Sequence, residues 1–263
     1  MSFFRYPGGK SKLKKYISQY ILDNSGGIEE YREPFFGGGS IGLGVISHFQ
    51  RSWINDIDHH LCKLWKSVID RPEELKSMVS NFVPSVDLFF QYKDELLEDK
   101  AGSDIVITGF KKLAVHQMSY SGLGVKAGGP IGGKKQESKY PVGCRWSPKY
   151  ICDKIDKANK VLCKSLCTDY DFEELITSEG SRFLYLDPPY YAKGEELYRH
   201  SFSIEEHERL ASLLKGCKNP WLLSYDDCEE VRKLYSWAVV IDVSVKYTIN
   251  TSRLKSELFI CPN

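Results

Sequence analysis

The sequence predicts an α/β protein whose doubly wound sheet is interrupted by a long, mostly helical insertion. Three observations point to it. Short apolar, β-forming runs alternate with stretches of helical period over residues 1–60 and again over 166–263. Between them, over residues 61–165, strand signals fade and helical patterns dominate. A glycine-rich loop follows the first strand and leads into a helix and a second strand, the order of a βαβ unit.

Phe3 to Lys10 reads as extended and breaks at Pro7-Gly8-Gly9. A helix follows with Leu13, Tyr16, Ile17, Tyr20 and Ile21 on one stripe, and Asn24-Ser25-Gly26-Gly27 ends it. A short strand leads into Glu33-Pro34-Phe35-Phe36-Gly37-Gly38-Gly39-Ser40, a helix from Ile41 to Phe49, and a strand from Ser52 to Asp56. Inside the insertion, Ser121 to Cys144 is glycine-rich and basic and has no helix period. A helix from Pro148 to Cys163 returns the chain to the sheet. Then come a strand at Ser165 to Asp169, a short helix at Phe172 to Thr177 and a strand at Arg182 to Asp187. After a loop from Tyr191 to Phe202, Ser203 and Glu206 form a capping box for the next helix. Trp221 to Tyr225 is a strand, Val231 to Tyr235 is helical, and Trp237 to Val245 and Leu258 to Cys261 are the last strands.

Charge is nearly balanced, with a formal net charge of +1, so the whole chain does not announce a polyanionic partner. From Lys100 to Lys160, however, Lys and Arg outnumber Asp and Glu by eight. The eight cysteines contain no C-x-x-C, and Cys163 and Cys167 lack the further ligands of a zinc site, so no metal is predicted. They read as reduced thiols of a cytosolic protein. No apolar h-region and no long apolar run is present, and neither a signal peptide nor a membrane span is expected. The six histidines, His59-His60 among them, show no catalytic spacing.

Leu184-Tyr185-Leu186-Asp187-Pro188-Pro189-Tyr190 is the stretch with the clearest chemistry. An apolar strand ends in a carboxylate, and two prolines that cannot donate to a sheet ladder stop it at once. The stiff ledge offers the Asp187 carboxylate, the Pro188 carbonyl and the Tyr190 ring. Two acceptors and an aromatic face suit a planar group bearing an NH2. Gly37-x-Gly39-x-x-Gly42, with Asp56 beyond it, formally fits a dinucleotide fingerprint. The ledge has no role in hydride transfer, however. Gly8-Gly9-Lys10-Ser11 imitates the end of a P-loop, but the required first glycine falls at Phe4.

Asp187-Pro188-Pro189-Tyr190 resembles the catalytic motif of S-adenosylmethionine-dependent amino-methyltransferases. Glu33-Pro34-Phe35 and its glycines resemble the E-P-F-x-G-x-G loop of adenine methyltransferases. Arg5-Tyr6-Pro7-Gly8-Gly9-Lys10 resembles the K-W-x-G-G-K opening of Dam-like DNA adenine-N6 methyltransferases, and the tail around Glu257-Leu258 is similar to that family's last strands. The resemblance implies a Rossmann-like methyltransferase sheet with a target-recognition subdomain at 61–165. It also implies transfer of the S-adenosylmethionine methyl to N6 of an adenine flipped out of duplex DNA, in a restriction–modification setting. The enzyme would be cytoplasmic and nucleoid-associated, a monomer or weak dimer.

By that resemblance Asp187, Pro188, Pro189 and Tyr190 are catalytic. Tyr6, Lys10, Phe35, Gly37, Gly39, Asp56, Asp169, Tyr170 and Asp187 border the cofactor, with Asp171 as an alternative to Asp169 and turn-capping as an alternative role for Asp56. Ser119-Tyr120-Ser121-Gly122-Leu123 resembles the family's Y-N-G-L, whose aromatic wedges into the duplex. Arg5, Tyr120, Leu123, Lys126, Lys134, Arg145, Lys193 and Arg199 are the DNA-binding set. The family's guanine-reading arginine falls at Val125, so a site other than GATC is expected, read by the loop from Ser121 to Arg145. Methylation of RNA, cytosine-N4 transfer and a catalytically silent DNA-binding relative stay open at this point.

Overall fold

The computed structural model describes residues 4, 10, 12–191, 201–247 and 253–263. Most of the predicted opening segment and most of the loop after Tyr191 lie outside them. Within the described residues, β1 (Glu30–Glu33), β2 (Arg51–Asn55), β3 (Leu166–Thr168), β4 (Phe183–Leu186), β5 (Trp221–Asp226), β6 (Val239–Tyr247) and β7 (Arg253–Cys261) form one sheet. Its order is β3-β2-β1-β4-β5-β7-β6. The first five pair in parallel, and β7 runs antiparallel between β5 and β6. The chain builds outward from β1 in one direction and from β4 in the other. The crevice between their carboxyl ends is therefore the topological switch point at which open α/β sheets take ligands.

β4 reads as a continuous apolar run because helices cover both faces of the sheet there. Phe183, Leu184, Tyr185 and Leu186 of β4 are all fully buried. The first helix, α1 (Lys14–Asp23), buries Ile17 and Ile21 while Tyr16 on the predicted stripe is 68% exposed. The helix predicted from Ile41 to Phe49 is shorter than expected. It is α2 (Gly42–Val45) followed by a 3-10 turn over Ile46–His48. Gly42 and Gly44 weaken an α-helix there, and Phe49 is already extended.

Five helices occupy the interval between β2 and β3: α3 (His59–Asp70), α4 (Pro72–Asn81), α5 (Val86–Leu97), α6 (Ile105–Met118) and α7 (Pro148–Leu162). Their starts are written in the sequence. Asp58, Ser85 and Asp104 accept backbone N–H groups at the N-caps of α3, α5 and α6, and prolines open α4 and α7. α6 is buried on nearly every side, and its Leu113 and Val115 share one apolar cluster with Trp65 of α3, Tyr31 of β1 and Phe183 of β4. The helices of this interval and the sheet thus share a core. A second cluster on the sheet joins β4 and β5 to α8 (Phe172–Thr177), α9 (Ile204–Gly216) and α10 (Glu229–Leu234). The expected Ser203–Glu206 capping box is present at the start of α9. No helix of the described residues is long and apolar enough to cross a membrane.

Candidate active site

The glycine loop after β1 is fixed from three sides. Gly37 and Gly39 have φ of 49° and 65°, and a Cβ on Gly39 would meet the Phe36 ring at 3.0 Å, so both positions need glycine. The Gly37 N–H donates to Asp56 Oδ2 at 2.8 Å, and its carbonyl accepts from Trp65 Nε1 at 2.9 Å. Asp56 Oδ1 in turn accepts the Asp58 N–H at 3.0 Å. Asp56 therefore does cap its turn, while each of its oxygens keeps a further acceptor site. Burial, with the neighbouring Asp58 charge, pushes its pKa up to about 7.

Asn55, buried at the end of β2, was not among the predicted site residues. Its Nδ2 donates to the carbonyls of Pro34 (3.1 Å) and Tyr170 (2.9 Å), and its Oδ1 accepts the Tyr170 N–H (2.8 Å). One side chain thus ties the loop after β1 to the loop after β3. Between those loops lies a cavity of about 280 Å³ whose wall includes Phe35, Asn55, Ile57, Tyr170, Phe172 and Phe202. Phe35, Phe172 and Phe202 stand in mutual contact, with ring centroids 5.3 to 5.7 Å apart. Of the alternatives at the third strand end, Asp171 is on the cavity wall. Its carboxylate is already held, however, by the Glu173 N–H and the Arg209 guanidinium.

Across the switch point, Asp187 follows β4 and meets the two other parts of a buried charge cluster. Lys10 Nζ lies 3.1 Å from Asp187 Oδ1 and 2.9 Å from Glu257 Oε2, the latter an ion pair outside hydrogen-bond geometry. It also donates to the Tyr190 hydroxyl at 3.0 Å and sits 4.6 Å from that ring's centroid. Lys10 and Glu257 side chains are 1% and 6% exposed, against 20% for Asp187, so Asp187 is the member of the cluster that faces out. Burial raises the Asp187 pKa to about 6, with Lys10 pulling it down and Glu257 pushing it up. Burial works against the Lys10 charge, yet Asp187, Tyr190 and Glu257 together hold its pKa well above the usual lysine value. The turn itself is pinned where the Tyr191 N–H donates to Asp226 Oδ1 at 2.9 Å.

Tyr120 opens a 3-10 turn after α6 and is 68% exposed, with Lys126, Lys134 and Arg145 also exposed and Leu123 half-buried. The turn is anchored: Gly124 (φ 59°) donates to Ser119 Oγ, and a Cβ there would lie 2.6 Å from the His116 ring. Val125 is buried, so it cannot reach a base edge. Arg5, Tyr6, Lys193 and Arg199 lie outside the described residues. His59 and His60 each bring Nε2 to Asp99 Oδ1, at 2.8 and 3.1 Å, a contact across 40 residues that spacing did not foretell.

A sheet with a parallel central part, a glycine loop after one central strand and a D-P-P-Y ledge after its neighbour has the architecture of an amino-methyltransferase. Over residues 6–249 the chain matches the family described as D12 class N6 adenine-specific DNA methyltransferase, and it belongs to that family. It is similar to the type II methyltransferase M.MjaIII of Methanocaldococcus jannaschii, 28% identical over 94% of this chain and 92% of that protein. It is 24% identical to the type II methyltransferase M.CviBI of Paramecium bursaria Chlorella virus NC1A, over 97% of this chain and 94% of the relative. A third relative, M1.LlaDCHI of Lactococcus lactis subsp. cremoris, is 26% identical over 81% of this chain and 75% of its own length.

Proposed function

We propose that this adenine methyltransferase takes its methyl group from S-adenosylmethionine and delivers it to an adenine extruded from duplex DNA, with Asp187 as the residue that handles the N6 amine. The observation that supports this most is the place of Asp187. It is the outward member of a buried Lys10 cluster, at the switch point, across from the glycine loop. The donor set fits the cofactor: an aromatic-walled cavity for adenine, Asp56 acceptors for ribose hydroxyls, and a backbone at Gly37 and Gly39 that admits close approach. When bound, the cofactor supplies an electrophilic methyl; the N6–carbon bond forms as the carbon–sulfur bond breaks, and sulfur keeps the electron pair.

The residues of the chain prepare the nucleophile. The N6 lone pair is delocalised into the ring, which makes the amine a poor nucleophile. Asp187 and the Pro188 carbonyl accept its two N–H groups and favour a pyramidal nitrogen whose lone pair is free to attack. The Tyr190 ring stacks the extruded base. Pro189 stiffens the ledge. Alignment of this kind supplies on the order of 7–11 kcal/mol in favourable cases. Residues 61–165 serve as the target-recognition region, with Tyr120 as the wedge and Lys126, Lys134 and Arg145 on phosphates or bases. Methyl incorporation from labelled cofactor into DNA, with RNA as the comparison substrate, tests the reading; incorporation into RNA alone sinks it.

Two expectations follow from these assignments. Accepting ribose hydroxyls needs Asp56 as the carboxylate, and its pKa is about 7. Cofactor affinity is therefore expected to weaken as pH falls below about 7, and Asp56→Ala to weaken it at neutral pH while DNA affinity changes less. Titration calorimetry across pH checks both, and a flat pH profile would remove Asp56 from the ribose. The second concerns sequence choice. A bidentate contact to guanine O6 and N7 contributes about 1–3 kcal/mol of discrimination. Buried Val125 cannot make it, so the exposed basic loop ending at Arg145 holds the specificity. Methylome mapping is expected to return a target other than GATC; strict GATC methylation, unaltered in a Lys126→Ala/Arg145→Ala variant, refutes this.

A further inference from the structure

Among the described residues, the buried cluster behind Asp187 sets one cation, Lys10, against two carboxylates. Lys10 and Asp187 alone would neutralise each other, yet Glu257 of β7 lies 2.9 Å from the same ammonium. A buried charge that is only partly compensated is costly, so a second carboxylate sharing this one described cation at such depth calls for a function. The three groups reach one point from three distant parts of the chain: the N-terminal segment, the end of β4, and the last strand.

Building on the reading of Asp187 given above, we propose that Glu257 is a positioning residue that divides the Lys10 charge between two carboxylates and thereby keeps Asp187 a strong acceptor for the N6 proton. Methyl transfer leaves the amine nitrogen positively charged with one proton too many. That proton passes to the Asp187 carboxylate, which then holds it as the neutral acid beside Lys10. With Lys10 bound to Asp187 alone, a full cation would oppose this step. With Glu257 in place, the cluster carries a net negative charge and favours it. The charged and titratable groups around Asp187 agree with this arrangement. Among the described residues, Lys10 faces it from the N-terminal segment, Glu33, which accepts from the Tyr31 hydroxyl, from β1, Tyr185 and Tyr190 from β4 and its turn, and Glu257 from β7. Among these Lys10 is the cation that lowers the Asp187 pKa and Glu257 the anion that raises it.

Glu257→Gln preserves shape and removes the charge. The expected result is a fall in the Asp187 pKa of on the order of one unit. It is read as carboxyl carbon chemical shift against pH in the cofactor-free protein, and as the same downward move of the acid limb of the single-turnover rate. The plateau rate should drop about tenfold, with cofactor affinity unchanged. Glu257→Asp, which keeps the charge at greater distance, should restore part of the rate. It also serves as the test if the glutamine variant does not fold, since it too should lower the midpoint. A variant that loses thermal stability while the Asp187 midpoint stays put makes Glu257 merely structural and overturns the proposal. An Asp187→Asn enzyme that still methylates DNA would instead overturn the underlying role of Asp187; an inactive Asp187→Asn with an unmoved Glu257→Gln midpoint defeats only the role of Glu257.

Discussion

Asp187→Ala is expected to reduce methyl transfer to DNA by on the order of 10³-fold, with the protein still folded. The carboxylate is the outward member of its cluster, and its proposed work is on the substrate amine during the reaction. Its loss should therefore appear in the chemical step and leave cofactor binding largely in place. The fold should survive because Lys10 keeps a second buried partner in Glu257, so truncating Asp187 does not strand an ammonium in the interior. Asp187→Asn should be nearly as inactive, since an amide presents donors where the substrate NH2 also has donors. Single-turnover rates, with circular dichroism and cofactor titration as controls, settle the matter. A well-folded Asp187→Ala enzyme with more than about a tenth of the wild-type rate would falsify the assignment.

Much of this fold and of the candidate site is legible in the sequence. The strand ending in Asp187, the loop of Gly37 and Gly39 and the acid at position 56 are local signals, each made of adjacent residues whose types have one structural use. The helix starts were legible for the same reason: a cap side chain bonds to backbone only two or three residues away. What the sequence hid depends on side chains that meet across the chain. Asn55 joins two loops by side-chain amide bonds to Pro34 and Tyr170, and nothing near position 55 names the second partner. Lys10 was placed beside the cofactor by resemblance, but its contact with Glu257 closes a gap of nearly the whole chain. Phe202 reaches the cavity wall from beyond the ledge, and only its ring contacts with Phe35 and Phe172 identify it. The short α2 was missed for a different cause, because an apolar period does not count the two glycines that limit the helix.

Lys112→Met is expected to destabilise the protein by about 3–5 kcal/mol, the usual cost of removing one partner from a buried ion pair. Lys112 lies on α6, and its Nζ meets Asp58 Oδ2 at 2.6 Å, with side chains only 3% and 6% exposed. The other oxygen of Asp58 caps α3 through the His60 and Leu61 N–H groups, so this carboxylate is held in the interior when Lys112 is lost. The consequence reaches the cofactor site, because Asp58 donates its own N–H to Asp56 and its charge raises the Asp56 pKa, while Lys112 lowers it. Removing Lys112 should therefore push the Asp56 pKa above about 7 and move the acid loss of cofactor affinity to higher pH. Asp58→Asn keeps a capping oxygen and removes the carboxylate charge that Lys112 balances. The Asp58→Asn/Lys112→Met double variant should thus recover most of the stability lost in Lys112→Met alone. Denaturant unfolding of the single and double variants decides between the outcomes. A single-variant loss under about 1 kcal/mol, or a double variant no more stable than Lys112→Met, would mean that the pair does not join α6 to the cofactor loop in this way.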